Sequence, residues 1–234
     1  MLDRLRHRGP DDRGVWAQGP VALGHTRLSI LDLSALGHQP MCTADGNGVL
    51  TYNGEVYNFP ELRRELEREG VTFRSRTDSE VVLYALHRWG AERAVPRFNG
   101  MFAFAYHDLR DGSTWLARDR FGIKPLYFAA TPGGGVFASE IKALFEHPQV
   151  ACRPDPLNLI TQIIRERLDG ANTPFTGVEA LPPGTMMRCG RSREVVAYFD
   201  VLRDVEPRRI LAAEHVSFEE QQRRFETALR SSVQ

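Results

Sequence analysis

Cysteine is scarce. Cys42, Cys152 and Cys189 are the only three in 234 residues, and they lie far apart. An odd number at such spacing excludes a disulfide framework and gives no zinc-ligand cluster, so a reduced, cytoplasmic setting is the default and no metal is expected. An excess of one charge is missing too. Thirty Lys and Arg balance thirty Asp and Glu, which removes any electrostatic case for nucleic acid or an anionic membrane. No apolar run nears the ~20 residues that a spanning helix needs. Residues 1–6 lack the apolar stretch of a secretory signal. There is no internal repeat and no low-complexity segment. The one glycine triplet, Gly133-Gly134-Gly135, lacks the Lys and Ser/Thr of a phosphate-cradling loop, and no nucleophile-elbow pattern occurs. None of the cysteines has an evident activating base beside it, so all three read as structural or incidental.

What is present is an alternation of strand and helix patterns. Residues 21–30 and 49–56 read as strands, with a polar turn at 43–48. A helix is expected from Asn58, where Asn58 and Glu61 resemble a capping box, to a stop at Gly70. A second opens at Thr77 with Glu80 three residues on, carries an apolar face of Val81, Val82, Ala85, Leu86 and Trp89, and stops at Gly90. Strands are expected at 101–107, 113–117, 125–129, 135–138, 185–188 and 195–199. A helix is expected from Pro156 to Leu168, and a last one is capped by Ser217 with Glu220. Residues 204–214 read as a charged linker. Consecutive hairpins favour antiparallel sheets, and two sheets between helical layers is the natural packing.

Several polar residues stand out against this pattern. Asn53-Gly54 offers a side-chain amide and an unhindered backbone N–H, two donors suited to a developing oxyanion, and loss of one such donor costs about 10²–10³ in rate. Taken alone, the same dipeptide reads better as a hairpin turn, since Asn-Gly is the commonest type I′ pair, although Val56 and Tyr57 follow directly in the strand pattern. Arg27, in an otherwise apolar strand, calls for a carboxylate, from a ligand or from an internal salt bridge. Asp78 in the first turn of a helix is favoured by the helix dipole whatever its role, and it could equally bind an ammonium. Glu55 carries the same ambiguity. Arg27, Glu55 and Asp78 together match the charges of an amino-acid zwitterion.

A set of longer motifs comes in a recognisable order. These are HRGPD (7–11), HTRLSI (25–30), QPM (39–41), YNGEVYN (52–58), TDSE (77–80), FNGMFA (98–103), RDRFGIKPLYF (118–128), FASEIK (137–142), PPG (182–184) and YFD (198–200). Together they resemble the glutamine-dependent asparagine synthetases over nearly the whole chain. The resemblance implies a class II glutamine amidotransferase domain. Its fold would be an α+β, four-layer α/β/β/α sandwich of the N-terminal-nucleophile hydrolase type, with mostly antiparallel sheets and here without its first strand. Residues 1–200 would be that domain, and 201–234 a linker and first helix leading to a synthetase domain.

By the same resemblance Arg27 takes the α-carboxylate of L-glutamine, Asp78 its α-amino group with Glu55 assisting, and Asn53 and Gly54 form the oxyanion hole. Backbone groups of Leu28, Ser29, Ile30 and Leu31 line the pocket. The family nucleophile is a cysteine after the initiator Met with its own α-amine as base. No cysteine precedes HRGPD here, so these 234 residues are expected to bind glutamine weakly or not at all and not to hydrolyse it. The chain carries no cofactor of its own. ATP and Mg²⁺ belong to the synthetase domain, where ammonia would meet aspartate, and a homodimer is compatible. The rival readings are a non-catalytic binding domain like that of β-lactam synthetases, or another class II amidotransferase.

Overall fold

The structure, a computed structural model, describes residues 1–30, 34–165, 170–190, 193–204 and 216–233. The chain forms two compact units, Met1–Tyr198 and Phe199–Gln234. The first holds strands β1 (Asp12–Gln18), β2 (Val21–Arg27), β3 (Met41–Cys42), β4 (Gly48–Val56), β5 (Gly100–Asp108), β6 (Ser113–Arg118), β7 (Tyr127–Thr131), β8 (Gly134–Ala138), β9 (Val178–Ala180), β10 (Thr185–Cys189) and β11 (Arg193–Ala197). Its helices are α1 (Leu2–Leu5), α2 (Phe59–Arg68), α3 (Asp78–Trp89), α4 (Ala91–Ala94), α5 (Ile141–Leu144) and α6 (Pro156–Arg165). The second unit holds α7 (Val201–Asp204) and α8 (Phe218–Val233), the latter preceded by Ser217, whose Oγ accepts from Glu220 N at 3.3 Å.

Three sheets form, in the orders β11-β10-β6-β5-β4-β3, β8-β7-β9 and β1-β2, and every pairing is antiparallel. Strand parity sorts the side chains into layers. Leu50, Tyr52, Val56, Phe102, Phe104 and Tyr106 leave one face of the large sheet and pack on Leu62 and Leu66 of α2 and Val81, Val82, Ala85 and Leu86 of α3. Val49, Ala103, Ala105 and Leu116 leave the other face and meet Leu23 of β2 and Phe128 of β7. Beyond that, Ala129 and Ala138 pack on Ala143 and Leu144 of α5. Helix, sheet, sheet and helix therefore follow one another, as expected.

Some local expectations need correction. Asn53-Gly54 is not a hairpin turn. It lies inside β4, opposite Ala103 and Phe102. Asn58 does not cap α2 with its side chain. Its Oδ1 accepts from Asn99 N at 2.9 Å and its Nδ2 donates to Arg97 O at 3.0 Å, because a cross-connection to the loop before β5 outcompetes the local cap. The strand expected over 21–30 ends at Arg27, where Asp11 Oδ2 takes the N–H of Ser29 at 2.8 Å. The strand β1 went unread. Thr77 does cap α3, accepting from Glu80 N at 3.2 Å, and Gly70 and Gly90 end their helices with φ of 87° and 78°. The end of the helix expected to reach Leu168, and the 204–214 linker apart from Asp204, fall outside the described residues.

Candidate functional site

A cavity of about 990 Å³ opens against β2 and β4, at the upper end of the range for small-molecule sites. Arg27, Leu28, Ile30, Asn53, Gly54, Glu55 and Asp78 all line it. Ser29 lies beside it in sequence, fixed by Asp11, and Leu31 falls outside the described residues.

The backbone of β4 explains what Gly54 offers. Tyr57 N bonds to Asn99 O at 2.7 Å, which makes Gly54 and Phe102 a pair that does not exchange backbone hydrogen bonds. Phe102 turns instead to Asp119: its O accepts from Asp119 N at 2.8 Å and its N donates to Asp119 Oδ2 at 3.2 Å. The even-numbered N–H groups of β4 therefore point away from β5. Tyr52 N finds Gln39 Oε1 at 2.7 Å and Val56 N finds Asp78 Oδ2 at 2.9 Å. Between them, the N–H of Gly54 meets no partner among the described residues. Its neighbour Asn53 adds a second open donor, since Nδ2 is buried without a hydrogen-bond partner. A buried orphan donor costs about 1–3 kcal/mol, so two adjacent ones mark a place for an incoming acceptor. Glycine is required at 54 because a Cβ there would lie 2.2 Å from Met101 O.

Asp78 joins β4 to α3. Its Oδ2 accepts from Tyr52 OH at 2.7 Å as well as from Val56 N, while its other oxygen has no side-chain partner among the described residues. Burial raises the pKa of the Asp78 carboxyl from its ordinary value, against the lowering effect of these bonds, and burial with the nearby Asp78 charge pushes the Tyr52 phenol well up. Arg27 is buried at the end of β2 and donates from Nη1 to Ser34 O at 2.9 Å. Gly37 gives the guanidinium its room, since a Cβ there would fall 2.0 Å from Arg27 Nη2. Gly37→Ala is expected to displace the guanidinium and weaken any carboxylate ligand on the order of tenfold, read from ligand titration of the variant.

Residues 1–199 match the family of the glutamine amidotransferase domain. The chain belongs to that family. Glutamine-hydrolyzing asparagine synthetase 3 of Bacillus subtilis is 41% identical over 180 residues, which are 76% of this chain and 28% of that protein. A putative glutamine-hydrolyzing asparagine synthetase of Mycobacterium bovis is 45% identical over 152 residues, 61% of this chain and 23% of that protein. The chain thus spans about a quarter of these relatives. The solved glutamine phosphoribosylpyrophosphate amidotransferase of B. subtilis superimposes with a TM-score of 0.60 at 18% identity, over 85% of this chain and 45% of that one, a likeness of fold.

The longest motifs of this amidotransferase domain serve to hold the site. In RDRFGIKPLYF, the fully buried Asp119 gathers four backbone N–H groups and Arg118 donates to the carbonyls of Gly122, Lys124 and Leu181. HRGPD meets FASEIK through Glu140, which accepts from His7 Nε2 at 2.9 Å and Arg8 Nη1 at 3.0 Å and pairs with Lys142 at 2.8 Å. Burial pushes the Glu140 carboxyl up, but the bonds from Lys142, Arg8 and His7 outweigh it and hold it at about 2. No sequence period could announce the ties of His7 and Arg8 to Glu140, which span more than 130 positions.

Sequence reasoning also passed over His25. It lines the cavity on the same face of β2 as Arg27, and its Nδ1 lies 3.2 Å from Thr51 Oγ1 on β4. Burial, helped by the Arg27 charge, lowers its pKa from 6.5 to about 4. The unfolded chain therefore binds a proton near pH 6.5 that the folded chain refuses until about pH 4. Stability is fully present above pH 6.5 and falls as pH drops through that window. About 1–2 kcal/mol should be lost between pH 7 and 4.5 from this half-buried ring. Urea unfolding at the two pH values checks it, and His25→Asn should flatten the slope.

None of the three cysteines lines the cavity: Cys42 and Cys152 are exposed and Cys189 is half-buried. Burial raises the thiols of Cys42 and Cys189, the opposite of an activated nucleophile.

Proposed function

We propose that the cavity binds L-glutamine and that this domain supplies ammonia from its side-chain amide to an ATP-dependent synthetase that makes asparagine from aspartate. The observation that carries the reading is the pair of open donors, Gly54 N–H and Asn53 Nδ2, on a cavity wall that also holds Arg27, Glu55 and Asp78. In the substrate complex Arg27 takes the α-carboxylate, and Asp78 with Glu55 takes the α-ammonium. Backbone groups of 28–31 border the amino acid. The carboxamide then lies with its oxygen toward the two donors, which would stabilise the oxyanion formed when a nucleophile adds to the carbon.

No cysteine is among the residues lining the cavity, so these 234 residues leave bound glutamine intact. ATP and Mg²⁺ act in the synthetase portion of the full protein, and homodimer formation and a cytoplasmic setting belong to the same reading. The named relatives support asparagine as the product. An NMR titration with L-glutamine is expected to shift the amides around Arg27, Asn53, Gly54 and Asp78 in the millimolar range, with no ammonia released. Shifts only elsewhere would refute the site assignment, and steady ammonia release would refute the statement that these 234 residues leave glutamine intact.

A further inference from the structure

His25 lines the cavity beside Arg27, and its two ring nitrogens have different jobs. Thr51 Oγ1 has a single proton and lies 3.3 Å from Gly24 O, which can only accept. With that proton directed to Gly24, the 3.2 Å contact to His25 Nδ1 requires Nδ1 to be the donor. The ring is then the Nδ1–H tautomer, and Nε2 carries a lone pair. Among the described residues Nε2 has no hydrogen-bond partner, and His25 lines the cavity.

Strand geometry places this lone pair. Thr51 and Asn53 are two apart on the same face of β4, roughly 7 Å along the strand. The imidazole bonded to Thr51 therefore stands next to the Asn53 amide, as it stands next to Arg27 on β2. The wall presents donors from Asn53 and Gly54 beside an acceptor from His25. A carboxamide has the complementary pair, a carbonyl oxygen and two N–H groups. A carboxylate offers two acceptor oxygens, one of which would face the imidazole lone pair.

We propose that His25 is a specificity-determining residue: its Nε2 accepts an N–H of the ligand's carboxamide and thereby separates glutamine from glutamate. The inference rests on the glutamine reading above. It also gives the low basicity of the ring a purpose, since a protonated His25 would instead favour the acid. A site built to pair a ligand N–H discriminates well against an analogue lacking it, because its own polar group is left unmet.

Two substitutions separate this role from a structural one. His25→Asn keeps a donor where Nδ1 meets Thr51 and has nothing at the Nε2 position. His25→Gln sets an amide oxygen near the Nε2 position and gives up the Thr51 bond. NMR titrations of the whole chain with L-glutamine and with L-glutamate give the ratio of dissociation constants. No thiol lines the cavity, so glutamine persists during the measurement. His25→Asn is expected to weaken glutamine about tenfold and glutamate hardly at all, with His25→Gln recovering part of the preference. Imidazole ¹⁵N spectra of the unliganded chain at pH 7 should show the neutral Nδ1–H form. Glutamine binding that His25→Asn leaves unchanged, equal losses for the two ligands, or an Nε2–H ring would overturn the inference and leave the glutamine reading standing. Failure of the wild-type chain to bind either amino acid would overturn both.

Discussion

Asp119→Ala is expected to cost about 4 kcal/mol of folding stability, the largest effect of any single substitution considered. The carboxylate is fully buried and takes N–H groups from Phe102 at 3.2 Å, Phe121 at 3.0 Å, Ile123 at 3.0 Å and Lys124 at 2.9 Å. Alanine would leave all four unmet, and charge-assisted bonds are roughly twice as strong as neutral ones. Asparagine should fail nearly as badly. One of its two atoms is a donor, so either the Phe121 and Ile123 pair or the Phe102 and Lys124 pair would face N–H against N–H. The loss is read from the shift in urea midpoint at constant slope. A cost below about 1 kcal/mol would mean that the loop re-forms its bonds elsewhere, and that Asp119 does not organise the Phe102 end of β5. Because Phe102 faces Gly54, a partly folded variant should also lose ligand binding.

The second large effect concerns binding alone. Asp78→Asn is expected to lower glutamine affinity about a hundredfold while leaving stability within about 1 kcal/mol. The asparagine oxygen can still accept from Tyr52 OH and Val56 N, so the tie between β4 and α3 survives. The charge is a different matter. Burial raises the Asp78 carboxyl, so the folded chain holds its proton to a higher pH than the unfolded chain does. Stability contributed by that proton is lost as pH rises through the folded pKa, which means the bare carboxylate is mildly unfavourable at neutral pH. Removing the charge therefore leaves the fold unharmed, while a ligand ammonium loses its anionic partner on the cavity wall. Calorimetry or NMR titration beside a urea curve separates the two outcomes. Unchanged affinity in Asp78→Asn would remove Asp78 from the ammonium site, and a collapse of stability would make its role structural.

The site brings together residues that sequence spacing could only hold as a charge complement. Arg27 ends β2, Asn53 to Glu55 lie in β4, and Asp78 begins α3, yet all border one cavity. Tyr52 and Gln39 make that possible by fixing the edge of β4: one orients Asp78, the other takes the backbone N–H next to the open one. The same logic extends to residues with no expected role. Asp11 fixes the backbone after Arg27 through Ser29, and Gly37 makes room for the guanidinium.

The sequence by itself determined the features that depend on neighbours within a few positions. Alternating apolar residues set which faces of β4 and β5 are buried, because side chains alternate in any strand. Thr77 and the glycines at 70 and 90 set helix ends, because a cap and a positive φ are local requirements. The order of motifs carried the family as well. Tertiary structure alone decided whether Asn53-Gly54 was a turn or a strand, since that depends on the β5 partner. It turned Asn58 away from its helix, because Asn99 offered a better partner than the local backbone. It made Arg118 and Asp119 of the most conspicuous run, RDRFGIKPLYF, a scaffold, and put Lys124 and Leu126 on the cavity wall. It also gave His25 its tautomer through Thr51, 26 residues away. Most of these rest on hydrogen bonds between segments distant in the chain. Such bonds have no period, so they become visible only when packing has brought their donors and acceptors together.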